Sequence, residues 1–134
     1  MMPKMQGTSH LALTVSDPRT SIDWYEKVFG GVQVPMTDEP GHLVIGLLTP
    51  DGFFIGLQGH GATPKGDRFS EFRVGLDHVA FRCENKEEVE EWEKHLDEVG
   101  VEHSEVKEVP YGSVLTFRDP DNIQLEFYSV PPGA

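Results

Sequence analysis

The chain has 134 residues, 37% of them hydrophobic, and 23 acidic against 11 Lys and Arg side chains give a formal net charge of −12. That length is ordinarily one domain with a real core, and so acidic a surface repels phosphate backbones, which argues against a nucleic-acid partner. The longest apolar runs, such as Leu43 to Leu48, are too short to span a bilayer, so no membrane partner is expected. Met1 to Gly7 lacks the apolar centre of a signal peptide, and the lone Cys83 permits no internal disulfide. Both features point to the cytoplasm, with Cys83 as a small buried hydrophobe.

The first predicted strand runs from about Thr8 to Val15, with Leu11, Leu13 and Val15 on one face and His10, Ala12 and Thr14 on the other. Asp17-Pro18 then has the form of an N-cap followed by proline at the first helical position. Ile22, Tyr25 and Phe29 recur at helical spacing until Gly30-Gly31 ends the helix. Strands are expected at Val32 to Pro35, His42 to Leu48 and Phe53 to His60, the last two joined by a Pro50-Asp51-Gly52 turn. Gly61 to Arg73, rich in glycine and charge, is the expected linker, close to the longest structureless loop a compact domain tolerates.

The same order then recurs. Leu76 to Arg82 is a strand, Asn85 with Glu88 is a capping-box start, and Val89, Trp92, Leu96 and Val99 form the apolar stripe of a helix closed by Gly100. The acidic run from Glu84 to Glu98 is its solvated face. Val101 to Val109, Ser113 to Phe117 and Ile123 to Ser129 are the remaining strands, with Asp119-Pro120-Asp121-Asn122 as the last turn and Pro131 to Ala134 as a frayed tail. The predicted class is α+β. A single domain, 1–134, consists of two βαβββ modules, about 7–62 and 74–130, forming cupped mixed sheets around a cleft.

An interval of 68 residues separates His10 from His78, Trp24 from Trp92, and Gln58 from Glu126. The tryptophans sit on helices and are expected as core anchors. The histidines open matching strands on the face away from the helix. On the last strand of each module, Ile55 and Leu57, or Ile123, Leu125 and Phe127, face the helix. Gln58 and His60, or Gln124, Glu126 and Tyr128, take the other face. In both modules the histidine lies 48 residues before its partner. A pseudo-twofold arrangement would bring His10, Gln58, His78 and Glu126 together. Two imidazoles, a carboxylate and an amide oxygen suit a borderline divalent ion: Zn, Ni, Co, Fe or Mn. One mismatch stands out. Pro50 precedes Gln58 by eight residues, whereas Pro120 precedes Glu126 by six. The first module is therefore expected to absorb two extra residues, as a bulge or longer turn near Phe53-Phe54.

Ser9-His10-Leu11-Ala12-Leu13-Thr14-Val15, Asp77-His78-Val79-Ala80-Phe81 and Phe117-Arg118-Asp119-Pro120-Asp121-Asn122-Ile123-Gln124-Leu125-Glu126 resemble the vicinal oxygen chelate superfamily. This is the group of glyoxalase I, bleomycin-resistance proteins and extradiol dioxygenases, and the resemblance runs from about His10 to Tyr128. It implies paired βαβββ modules, metal ligands at His10, Gln58, His78 and Glu126, and a homodimer. Bacterial glyoxalase I usually carries glutamate where this chain has Gln58; the His-Gln-His-Glu set is similar to methylmalonyl-CoA epimerase.

The chemistry expected of such a site is proton abstraction beside a carbonyl, by a metal-dependent lyase or isomerase acting on a small oxygen-chelating substrate. Glu126 is the candidate base. Arg82 shares the face of His78 and is a candidate for a substrate carboxylate, His60 for proton relay, and Tyr128 for the pocket wall. His42, His95 and His103 have no such geometric case. Two other enzyme readings are an extradiol dioxygenase with a His10, His78 and Glu126 triad on iron, and thiol transfer to an antibiotic. The rival from another class is a non-catalytic binder of a cationic drug, as in bleomycin resistance, which the acidic balance suits and which needs no metal.

Overall fold

Two aspartate-type caps decide where the helices begin. In the computed structural model, which describes residues 1–134, Asp17 is extended (φ −148°) and its carboxylate accepts from the Arg19 backbone N–H. Asn85 (φ −159°) accepts likewise from Glu88 N–H. Each cap satisfies a backbone donor that has no partner within the helix. The reciprocal half of the expected capping box is displaced by one residue: Glu88 Oε1 accepts from Glu84 N–H at 3.1 Å rather than from Asn85.

The chain divides into two compact units, 1–65 and 66–134. The first holds β1 (Leu11–Thr14), α1 (Pro18–Phe29), β2 (Val32–Glu39), β3 (His42–Leu48) and β4 (Phe54–His60). Its sheet has the order β1-β4-β3-β2. β1 is parallel to β4, and the β2–β3 and β3–β4 pairs are antiparallel. Helix α1 covers one face, contributing Ile22, Tyr25 and Val28 to a core with Leu13, Val15, Leu47, Ile55 and Leu57. Each fully buried Leu or Ile side chain there contributes about 2 kcal/mol. A Cβ on Gly59 would meet the Pro18 ring at 2.7 Å, so glycine at that point of β4 is what admits the start of α1.

The second unit repeats the plan: β5 (Val79–Arg82), α2 (Lys86–Glu98), β6 (Lys107–Val109), β7 (Gly112–Arg118) and β8 (Gln124–Ser129), with sheet order β5-β8-β7-β6. Phe127 is the hub of its core. Trp92 stacks on Phe127 at 4.2 Å between ring centroids, and Phe117 at 5.3 Å. Trp92 is thus the expected anchor of α2. The two units are the two βαβββ modules of an α+β, glyoxalase-like fold.

Several boundaries differ from expectation for identifiable reasons. β1 and β5 are four-residue strands, because only those residues find ladder partners on β4 and β8. His10 and His78 therefore precede their strands instead of lying within them. β2 is longer than expected, continuing to Glu39 past a bulge between Pro35 and Thr37. Val101 to Val109 is mostly irregular: three residues pair as β6, and a single bridge joins His103 to Phe117. The expected linker is partly built into the second unit. Phe69 N–H donates to Asp121 O at 2.9 Å, and Asn122 Nδ2 donates to Phe69 O at 3.1 Å.

Candidate metal centre

In the second unit the register sets the geometry. Ala80 pairs with Glu126 and Arg82 with Tyr128, so His78, two residues before Ala80, enters on the face of Glu126. His78 Nε2 lies 3.5 Å from Glu126 Oε1, with the two side chains 40% and 12% exposed. The other ring nitrogen, Nδ1, lies 2.7 Å from Asp77 Oδ1. A neutral imidazole has one N–H. Given to Asp77, it leaves the Nε2 lone pair facing the oxygen lone pairs of Glu126. Two acceptors so opposed call for a cation or a proton between them. With bonds near 2.1 Å the edge of a tetrahedral zinc-type site is about 3.4 Å, close to the separation here. Carboxylate support of the far ring nitrogen is also what metal-bound histidines ordinarily have. The donor set therefore fits a divalent cation.

Glu126 is held in turn. Its Oε2 accepts from Gln124 Nε2 at 3.0 Å. Gln124 Oε1 accepts from Arg118 Nη2 at 2.9 Å. Arg118 Nη1 donates to Glu71 Oε2 at 2.7 Å and to Asn122 O at 3.1 Å. Arg82 is exposed, and its ladder partner Tyr128 donates its hydroxyl to Tyr111 O, with the two tyrosine rings 6.4 Å apart.

The first unit is built differently. His10 is exposed, with Ser9 Oγ 2.9 Å from its Nδ1, the counterpart of the Asp77–His78 contact. Gln58 pairs with Thr14 and Val44, and His42 Nε2 donates to its Oε1 at 2.8 Å. The His42 and His60 rings stack at 5.0 Å and 9°. Glu39 Oε1 lies 4.0 Å from His42 Nδ1.

This register corrects the expected match of Gln58 to Glu126. Ala12 pairs with Gly56, whereas the equivalent Ala80 pairs with Glu126. The two turns are alike, closed by Thr49 N–H to Phe53 O (2.9 Å) and Asp119 N–H to Ile123 O (3.0 Å). β4 runs against β3 without a register shift. The expected bulge near Phe53-Phe54 is therefore absent, and the counterpart of Glu126 is Gly56, while Gln58 corresponds to Tyr128. The extra residues belong to the other module, in its helix and the turn that closes it. From cap to closing glycine, Asp17 to Gly30 spans 13 residues and Asn85 to Gly100 spans 15. The repeat interval is 68 up to the tryptophans and 70 beyond the helices, as Pro50 and Pro120 show. Above Gly56 lies an apolar floor: Phe54 approaches a Cβ placed on Gly56 at 3.7 Å and would collide with one on Gly46 at 2.2 Å.

Within neither unit do three His, Cys, Asp or Glu side chains gather into a metal site; the second supplies the pair His78 and Glu126. Gln124, Arg118, Glu71 and Asp77 were not singled out from the sequence. Asp77 and Ser9 carry a signal in retrospect, each directly preceding its histidine. His42, set aside on sequence grounds, is the side chain that holds Gln58. Cys83 is 2% exposed; burial, and then the nearby Glu88 charge, push its thiol up to about 11, which leaves it protonated and unreactive.

The family model of the Glyoxalase/Bleomycin resistance protein/Dioxygenase superfamily matches residues 7–127. The chain belongs to this superfamily. Among solved structures, a glyoxylase/bleomycin resistance protein/dioxygenase domain from Frankia sp. EAN1pec is 31% identical with a TM-score of 0.86, covering 98% of this chain and 96% of that one. A metallothiol transferase FosB from Staphylococcus saprophyticus is 24% identical over 93% of this chain and 78% of its own length. The fosfomycin resistance protein FosX of Listeria monocytogenes, solved with Mn(II) and sulfate, has a TM-score of 0.64 at 24% identity, covering 96% of each chain. That last likeness is one of superfamily fold. No helix is long and apolar enough to cross a membrane.

Proposed function

We propose that the chain is a divalent-metal-dependent enzyme that abstracts a proton next to a carbonyl of a small oxygen-chelating substrate, as a lyase or isomerase. The observation that carries this reading is the His78 Nε2–Glu126 Oε1 pair at 3.5 Å, with His78 anchored by Asp77. His78 and Glu126 would hold the cation (Zn, Ni, Co, Fe or Mn), with His10 as a further proposed ligand. Gln58 would join only by exchanging its bond to His42. When bound, the ion supplies Lewis acidity to two adjacent substrate oxygens and so eases loss of the neighbouring proton. Glu126 accepts that proton through Oε1, and Gln124 keeps the carboxylate in place. Arg82 takes an anionic group of the substrate, with Tyr128 beside it along the ladder. His60 is the proposed relay on the first module. The reading includes a homodimer and a cytoplasmic setting.

The test is proton–deuteron exchange in heavy water, using small hydroxy-, keto- and hemithioacetal substrates and following the carbon next to the carbonyl by NMR. Exchange that needs added Mn²⁺, Ni²⁺ or Zn²⁺ and is lost in His78→Ala supports the proposal; exchange by metal-stripped protein contradicts it.

A second reading is favoured by the relative named metallothiol transferase: addition of a thiol to an epoxide antibiotic at the same ligands. Against it, Arg118 is already paired with Glu71, which reduces the positive charge available to a phosphonate. Metal-dependent consumption of fosfomycin with a thiol would select this reading. Oxygen uptake with catechols would select extradiol cleavage, and tight bleomycin binding by metal-free protein would select the sequestering role.

A further inference from the structure

Glu126 stands at one end of a polar chain whose directions are forced. Arginine can only donate. The Arg118 Nη2 contact therefore identifies the facing Gln124 atom as the amide oxygen, and the Gln124 NH₂ must point to Glu126 Oε2. Arg118 and Gln124 are themselves cross-strand partners on β7 and β8. The guanidinium is fixed from the opposite side by Glu71 and by Asn122 O. The chain continues past Glu126 Oε1 to His78 and Asp77. It thus starts and finishes in the segment that leads into β5.

We infer that Arg118, acting through Gln124, is a positioning residue for Glu126, and that Glu71 completes the device. This rests on the metal-site reading above and goes beyond it. The Gln124 amide holds Oε2, and Oε1 is the oxygen set 3.5 Å from His78 Nε2, so Oε1 is the atom Glu126 would offer a cation. The same amide would keep the carboxylate beside the site while it takes a proton. Attachment of the 66–77 segment alone does not require Arg118, since Phe69 already bonds Asp121 and Asn122.

The experiment is Mn²⁺ titration followed by electron paramagnetic resonance on wild type, Gln124→Leu, Arg118→Met and Arg118→Lys. The metal-free proteins are compared by ¹⁵N NMR of the Gln124 side-chain amide. Loss of support behind a ligand should weaken Mn²⁺ binding about tenfold or more in Gln124→Leu and Arg118→Met. Arg118→Lys, which still donates to Gln124, should recover most of that loss. In metal-free wild type the Gln124 NH₂ signals should be displaced from free-amide positions and should return to them in Arg118→Met. Unchanged Mn²⁺ affinity in both disruptive variants, or wild-type Gln124 signals at free-amide positions, would overturn the inference. Wild type that binds no Mn²⁺ while its Gln124 signals respond to Arg118→Met would contradict the metal reading and leave the positioning intact.

Discussion

His103 has both ring nitrogens engaged: Nδ1 lies 2.7 Å from Ser104 O and Nε2 2.6 Å from Asp97 Oδ1. Only the imidazolium can donate to both, so the Ser104 carbonyl first, and then Asp97, raise its pKa above the ordinary 6.5. A raised folded-state value stabilises fully below the unfolded pKa and is lost as pH rises through the folded one. The melting temperature of wild type should therefore exceed that of His103→Gln most at pH 5 to 6, with the gap closing toward pH 9; a gap that widens with pH would refute the assignment. For Cys83, a thiol pushed up to about 11 by burial predicts that a thiol-specific reagent at neutral pH labels the native protein slowly. Labelling should become complete on adding denaturant.

The helices show how local signals carry an element. α2 ends with Val101 N–H donating to Leu96 O (2.9 Å) and Gly100 N–H to Asp97 O (3.1 Å). Gly100 is left-handed at φ 74°, the glycine-capped closure that pairs an apolar residue on each side. No atom lies within 4 Å of a Cβ added to Gly100. Gly100→Ala should therefore cost only the conformational penalty, about 1 kcal/mol in urea unfolding. Phe127→Ala removes the hub that contacts Trp92, Phe117 and Phe81, and should cost about 3–5 kcal/mol. These features were legible: caps, closing glycines and apolar stripes are short-range and specific to residue type. Strand lengths were less so: β1 and β5 pair over only four residues of the longer β4 and β8, a tertiary outcome. The Gln58 match misled for a similar reason. Equal spacing along the chain conceals a two-residue difference in the span from helix cap to closing glycine, and only the ladder reveals that Gly56 stands opposite Ala12. Parity survived that shift, which is why Gln58 was assigned the correct face at the wrong depth.

For the whole molecule, an acidic repeat protein of this superfamily carries unlike faces on its two sheets. The second presents His78, Glu126, Gln124 and Arg118. The first presents Phe54 over Gly46 and Gly56, with the His42–Gln58 contact nearby. Strand parity puts His78 and Glu126 on one face, and the pairing of β5 with β8 brings them to 3.5 Å. Gln124, Arg118 and Glu71 emerge only from tertiary geometry, because each holds another side chain. Everything functional depends on His78 and Glu126 sharing a cation. The most direct measurement is elemental analysis of freshly purified protein, with calorimetric titration of Mn²⁺, Ni²⁺ and Zn²⁺ into stripped wild type and His78→Ala. Because His78 is 40% exposed, the variant should melt near wild type. The predicted result is about one transition metal per chain in wild type and loss of high-affinity binding in the variant. Absence of stoichiometric metal in wild type, or equal affinity in His78→Ala, would contradict it.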